Sequence, residues 1–406
     1  KRHIITINQE RHQDSMGRFL YPVDTDQFQE IREQGRVYVD KTDMVFDLVS
    51  RYKYVFLSRP RRFGKSLLCN TFKAYFQGQR ELFGGLKIMD TERDWKTYPV
   101  LHFIMSGLKN CTIPEARSAL ELYISDYERI YGRNMAEETP GKRFRGLIHR
   151  AYEKTGEKVV VILDEYDAAI MRLMYEDEEL EQMRTMLREF YQVLKDEGAY
   201  LRFVFITGVT KFSQLSIFSE LNNLNQISMI DDYSGICGIT HEELDTTLRP
   251  CVEDYAEGLG ITTGEAYALL KKNYDGYHFS PHGKDVYAPF SLLNALSDMK
   301  TDYYWFESGT MTALIEHLRH YPEFNPLDFD GAELDLGDFN VPCERARTPI
   351  PLLYQSGYLT IDSYDKEMDT YILHFPNYEV RPGIVYGITN YPMATDDLER
   401  NDTIID

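Results

Sequence analysis

Two short segments carry the residues best suited to chemistry. The first is Ser58-Arg59-Pro60-Arg61-Arg62-Phe63-Gly64-Lys65-Ser66, which follows an apolar run and opens a helical stretch. That is the setting of a phosphate-binding loop. Gly64 lets the backbone approach a phosphate, Lys65 brings an ammonium to the β- and γ-phosphates, and the Ser66 hydroxyl can ligate Mg²⁺. Free N–H groups at the start of the helix add an electropositive end for the anion. The usual spacing would put glycine at position 59, where this chain has Arg59. A lone Gly-Lys-Ser also fits an ordinary helix start behind a basic loop. The second segment is Val159-Val160-Val161-Ile162-Leu163-Asp164-Glu165, an apolar run ending in two carboxylates. At the tip of a buried strand, Asp164 can hold Mg²⁺ through its water shell and Glu165 can orient and deprotonate an attacking water. A solvated acidic strand end is the simpler alternative. Together the segments have the order of an ATPase whose catalytic glutamate lies on the acidic strand.

Other residues join this candidate set. Thr207, in Phe205-Ile206-Thr207-Gly208, stands where such an ATPase carries a γ-phosphate-sensing polar group, or else in a plain strand-to-loop turn. Arg59, Arg61 and Arg62 could contact phosphates, pair with nearby acids or act on a neighbouring site. Pro60, Phe63 and Leu67 complete the expected nucleotide-contacting loop.

The elements that must position these groups can be read from hydrophobic runs. Tyr54–Ser58, Val100–Met105, Val159–Asp164 and Arg202–Thr207 are rich in β-branched and aromatic residues without alternation, as in strands covered on both faces. Gln226–Ile230 is a weaker fifth strand. Helical stretches at Ser66–Gln77, Ile113–Tyr131, Arg143–Lys154 and Glu178–Lys195 alternate with them, predicting a doubly wound, largely parallel α/β sheet. The pattern changes near 236–239. Thr240 and Glu243 form a capping signature, helices fit Thr263–Lys272, Ser291–Asp298 and Met311–His317, and strands fit Tyr358–Ile361 and Thr370–Phe375. The expected division is an arm or cloning remnant at 1–15, an ATPase domain at 16–238, a smaller, mainly helical domain at 239–380 and a tail at 381–406.

Composition narrows the partners. An apolar share of 43% in 406 residues suffices for sizeable folded cores. With 65 acidic against 45 basic residues the net charge is −20, so DNA binding would need a local basic patch. Five scattered cysteines without a C-x-x-C pair suggest reduced thiols in a cytoplasmic protein and no zinc site. The longest aliphatic run, Val159–Leu163, is far too short for a bilayer, so no membrane partner is expected.

These residues resemble the bacterial AAA-ATPase-like family, P-loop proteins often joined to a C-terminal PD-(D/E)XK nuclease-like domain. The resemblance runs through Tyr38-Val39-Asp40-Lys41-Thr42, SRPRRFGKSLL at 58–68, VVVILDEYDA at 159–168, FITGVTKFS at 205–213 and Phe218–Leu224. It continues in Tyr274-Asp275-Gly276-Tyr277, Trp305–Gly309 and Phe375–Val380. Arg59 at the first loop position is usual there. The resemblance implies an additional-strand P-loop ATPase followed by a winged-helix-type domain, with ATP or ADP and Mg²⁺ as cofactors. It maps phosphate binding onto Gly64, Lys65 and Ser66, metal and water handling onto Asp164 and Glu165, and a structural place in the acidic turn onto Asp167. Asp40 lies in a segment such ATPases place near the adenine; capping of the following helix is the alternative. From Asn340 onward no E-x-K with an upstream Asp occurs, so 381–406 reads as at most a remnant of the nuclease-like domain, and no nuclease activity is assigned. The expected function is ATP hydrolysis driving a conformational switch. The alternatives are a slow, nucleotide-gated STAND-like module with a protein partner or self-association, and the ATPase part of a nucleic-acid-processing protein.

Overall fold

A computed structural model describes residues 17–211, 223–305, 315, 317–324, 329–335, 337–340, 346–382 and 384. The N-terminal arm, segment 212–222, most of the candidate helix 311–317 and the tail from 385 lie outside the described residues.

The four apolar runs form strands β1 (Tyr54–Ser58), β2 (Val100–Ile104), β3 (Val159–Asp164) and β4 (Leu201–Gly208), joined by the short β5 (Asn225–Gln226). They make one sheet of order β2-β3-β4-β1-β5 in which every pairing is parallel. Strand β4 therefore lies between the strand that precedes the glycine-lysine-serine loop and the strand that ends in Asp164. Strand alternation divides the core into two. Val55, Leu57, Val160, Ile162, Phe203 and Phe205 face one apolar cluster; Tyr54, Phe56, Val161, Leu163, Val204 and Ile206 face the other. Both faces need helices, and the chain supplies them.

On the first face lie α2 (Thr42–Arg51) and α3 (Lys65–Phe76), preceded by α1 (Phe28–Glu33). On the second face lie α4 (Ile113–Tyr131), α5 (Pro140–Thr155), α6 (Ala168–Arg172) and α7 (Asp177–Asp196). Their ends follow local chemistry: Thr112 and Glu115 cap α4 reciprocally, and the Thr139 hydroxyl accepts the Lys142 amide at the start of α5. Arg143 of α5 and Glu128 of α4 meet at 2.7 Å with both side chains 4% exposed, locking the pair together.

Beyond β5 the chain bends rather than continuing as strand to position 230, because Ser228 turns inward and its hydroxyl accepts the Ser58 amide at 2.8 Å. A two-stranded ribbon, β6 (Ile239–Thr240) with β7 (Val286–Tyr287), borders α8 (His241–Thr246), α9 (Arg249–Leu259), α10 (Thr263–Tyr274) and α11 (Pro289–Asp298). The expected Thr240–Glu243 capping box opens α8. These helices pack on Leu244, Leu248, Tyr255, Leu270 and Leu292 and take in Tyr21 and Val37 from the N-terminal region. Strands β8 (Ala332–Asp335), β9 (Thr360–Asp365) and β10 (Thr370–His374) form an antiparallel sheet of order β8-β10-β9. Its inward residues Leu334, Ile361, Tyr371 and Leu373 belong to the same apolar cluster as Phe63, Leu68 and Phe72. The core thus runs without a break from the α3 face of the parallel sheet into residues 329–384.

Candidate nucleotide-binding site

The loop 59–64 leaves β1 at its C-terminal edge and delivers α3 with Gly64 as its N-cap at φ 86° and ψ 19°. That left-handed conformation suits glycine. A Cβ added at Gly64 would meet no atom within 4 Å, so the space over the loop is open. Arg62 is also left-handed, at φ 65°. Lys65 is buried beneath the loop, and its Nζ donates to the carbonyls of Arg59 at 3.0 Å and Pro60 at 2.8 Å. Burial lowers its pKa and the Asp164 carboxylate acts against that.

Because β3 ends beside α3, Asp164 arrives close to Ser66 at the start of that helix. Asp164 is 1% exposed, and its Oδ1 has no partner. Burial raises its pKa, with Ser66 and Lys65 opposing. Glu165 follows in a left-handed conformation, φ 53°, which turns its side chain out of the strand line. Its pKa is raised by burial first and by Asp164 second. A carboxyl held high in this way is a better proton acceptor once ionised. Asp167 closes the acidic turn: its Oδ2 accepts the amides of Val209 at 3.0 Å and Thr210 at 2.7 Å and the Thr210 hydroxyl at 2.7 Å. The turn after β3 is thereby tied to the end of β4.

Arg61, Arg62, Gly64, Lys65, Ser66 and Glu165 all line one cavity of about 730 Å³. Further wall comes from 22–27, Leu67, the acidic turn at Asp167 and Ala168, and α11 at Pro289, Phe290 and Leu293. A smaller, largely apolar pocket adjoins it, lined by Tyr38, Val39, Lys41, Leu67, Cys237 and Leu293 among others. The residues present fit a triphosphate with Mg²⁺. Open space lies above a glycine-capped helix start, an ammonium lies beneath it, and a hydroxyl and a carboxylate with a free oxygen supply the hard donors Mg²⁺ requires.

Other expected residues are occupied elsewhere. Arg59 is 2% exposed and points away from the cavity; its guanidinium donates to the carbonyls of Ser58 and Ser228 and lies 4.2 Å over the Phe279 ring. Phe63 is buried edge-on against Tyr277, Phe279 and Trp305. Thr207 is fully buried, and its hydroxyl donates to the Leu57 carbonyl across β4 and β1 at 2.7 Å, away from the cavity wall. Asp40 accepts the Thr42 amide at 2.9 Å and hydroxyl at 2.7 Å, and the Lys87 amide at 2.7 Å. These bonds tie the start of α2, whose N-cap is Lys41, to the Lys87 segment, while the neighbours of Asp40, Val39 and Lys41, reach the apolar pocket. Three residues not assigned from sequence also stand here. Lys41 forms a 2.6 Å ion pair with Glu243, and Cys69 and His102 lie beside Asp164. Their signal was only positional: Cys69 is one helical turn after Ser66, and His102 sits two places before the end of β2.

Residues 22–218 match the family described as predicted AAA-ATPase. A relative from Azotobacter chroococcum mcd 1, an uncharacterised protein in the vnfD 5′ region, is 35% identical over 382 residues, covering 91% of this chain and 70% of its own length. The chain belongs to the predicted AAA-ATPase family. Membership brings the expectation of nucleotide binding to the cavity lined by Gly64, Lys65, Ser66 and Glu165. No described helix is long and apolar enough to cross a membrane.

Proposed function

We propose that this AAA-ATPase binds ATP with Mg²⁺ and hydrolyses it, using the switch between nucleotide states to move residues 239–380 against the parallel sheet. The observation that carries this reading is that Lys65 and Ser66, at the start of α3, and Glu165, from the turn after β3, line the same cavity, with Asp164 closing β3 just before Glu165. In the proposed mechanism Gly64 and the α3 amides cradle the phosphates, and Lys65 exchanges its loop carbonyls for phosphate oxygens. Ser66 and Asp164 would hold Mg²⁺, which supplies charge neutralisation on the β- and γ-oxygens. Glu165 orients the water and takes its proton, while Asp167 keeps the acidic turn in register with β4. Arg61 and Arg62 add positive charge on the cavity wall. The adjoining pocket at Tyr38, Val39 and Lys41 is the proposed seat of the base. The conformational part of the proposal is supported by contacts of the loop itself: Phe63 packs on Tyr277, Phe279 and Trp305, and Arg62 lies 3.7 Å over Phe290. A winged-helix-type role for 239–380 rests on its helices and the β9–β10 hairpin.

The test is Glu165→Gln in the full chain. It should retain ATP while turnover falls by about 10²- to 10⁴-fold, the usual share of a general base. Turnover near that of the parent would remove Glu165 from the mechanism. If the parent itself turns over more slowly than about one per minute, against a typical ~10 s⁻¹ for enzymes, the slow nucleotide-gated module is the better description.

A further inference from the structure

Behind the phosphate loop, on the α3 face of the sheet, three side chains of different chemistry converge. The Sγ of Cys69, a ring nitrogen of His102 and a carboxylate oxygen of Asp164 all lie within 4.8 Å of one another. The fold makes this meeting unavoidable. Strand β2 pairs with β3 so that His102 stands opposite Ile162 and Ile104 opposite Asp164, and alternation sends His102, Ile162 and Asp164 to one face. Helix α3 covers that face, and Cys69, one turn on from Ser66, points the same way as that residue. Helix α4 holds the strand in place: the Tyr127 hydroxyl accepts the His102 amide at 2.7 Å and donates to its carbonyl at 2.9 Å.

Two of the three groups are left without partners. His102 Nε2 and Asp164 Oδ1 are both buried and make no hydrogen bond. An orphaned acceptor and an orphaned imidazole nitrogen side by side are costly in a protein interior, and a shared ligand relieves both. Thiol, imidazole and carboxylate form a borderline-soft donor set, one that favours zinc-like ions over Mg²⁺. Around a tetrahedral ion with bonds of about 2.0–2.3 Å, donors sit roughly 3.3–3.8 Å apart, so side-chain movement of about 1 Å closes the set.

We propose that Cys69, His102 and Asp164 form a binding site for a thiophilic divalent cation of the zinc class, and that filling it restrains nucleotide hydrolysis by drawing the Asp164 carboxylate away from Mg²⁺. On binding, the Cys69 thiol releases its proton to solvent and the thiolate and Asp164 together neutralise the ion. The imidazole contributes a lone pair. The restraint rests on the role given to Asp164 above; the binding itself does not.

The two halves are tested separately. Titration of the full, reduced chain with Co²⁺ as a spectroscopic stand-in should show a thiolate-to-cobalt charge-transfer band saturating at one equivalent and displaced by Zn²⁺. Cys69→Ser should abolish the band. His102→Gln, which keeps every cysteine, should weaken Co²⁺ binding by more than the roughly 10- to 100-fold typical of losing an outer-shell partner. A band of unchanged affinity in either variant would put the ion on another thiol and overturn the site. For the restraint, the ratio of Mg²⁺-supported turnover with and without micromolar Zn²⁺ should be low in the parent and near one in Cys69→Ser. Equal inhibition of the two would leave the ion bound but overturn its action on hydrolysis.

Discussion

At the scale of single residues, the site is organised by groups that hold other groups. Asp167 shows this best. One carboxylate oxygen accepts three donors from Val209 and Thr210, at 3% exposure, so it stitches the turn bearing Glu165 to the end of β4. Asp167→Ala would leave those donors buried without an acceptor, and thermal or denaturant unfolding should show a loss of about 3 kcal/mol, given ~1–3 kcal/mol for each unsatisfied group and partial rescue by water. Asp167→Asn, which keeps an acceptor oxygen, should recover a good part. Equal stability of Asp167→Ala and the parent would show that the turn is held by other contacts. Much of the candidate site was legible because glycine, lysine and serine after a strand, and paired acids after another, have few physical reasons to recur in that order. Arg59 and Thr207 were less legible because residue type does not tell which way a side chain turns. A guanidinium beside phosphates and one stacked on Phe279 look alike in sequence, and a hydroxyl on a strand can serve a phosphate or, as Thr207 does, a neighbouring carbonyl. The Cys69–His102 pairing was invisible because it depends on strand register.

At the scale of elements, the strands were read nearly to their ends, since β1 and β3 are apolar up to their last residue and buried along their whole length. The expected fifth strand stopped early for a local reason, the inward turn of Ser228. The segments beyond 300 were harder to read because their strands are half-exposed and their order depends on contacts distant in the chain. One such contact makes a pH prediction. Glu379, 1% exposed, accepts the Trp305 amide through Oε1 at 2.8 Å, tying the segment after β10 to the segment after α11. Burial raises its pKa from 4.5 to about 7. A carboxyl raised on folding keeps its proton in the native state while the unfolded chain loses it. The associated stability is therefore complete below pH 4.5 and is lost as pH climbs through about 7. The loss is about 3 kcal/mol at most. Glu379→Gln, which keeps the acceptor and never ionises, should flatten the Tm-against-pH curve between pH 5 and about 8 and raise Tm at the alkaline end. A variant curve parallel to that of the parent would show that another group carries the dependence.

At the scale of the whole molecule, the loop after β1 is packed both by the parallel sheet and by residues 277–305. Its backbone floors the cavity, Lys65 sits under it, and Phe63 inserts into the aromatic cluster of Tyr277, Phe279 and Trp305. The continuous apolar core means that a change of loop shape on nucleotide binding would be transmitted by packing, since close-packed interiors deform little. The charge of −20 makes the surface repulsive to polyanions, so the cationic wall of Arg61, Arg62 and Lys65 is the local exception that a triphosphate requires. The most direct test of that claim is equilibrium binding of ATP, with and without Mg²⁺, to the full chain and to Lys65→Ala. The parent should bind Mg²⁺–ATP well above AMP, and Lys65→Ala should lose about 10- to 100-fold or more in affinity, the equivalent of one charge-assisted contact. ATP binding to Lys65→Ala as tight as to the parent would contradict the account.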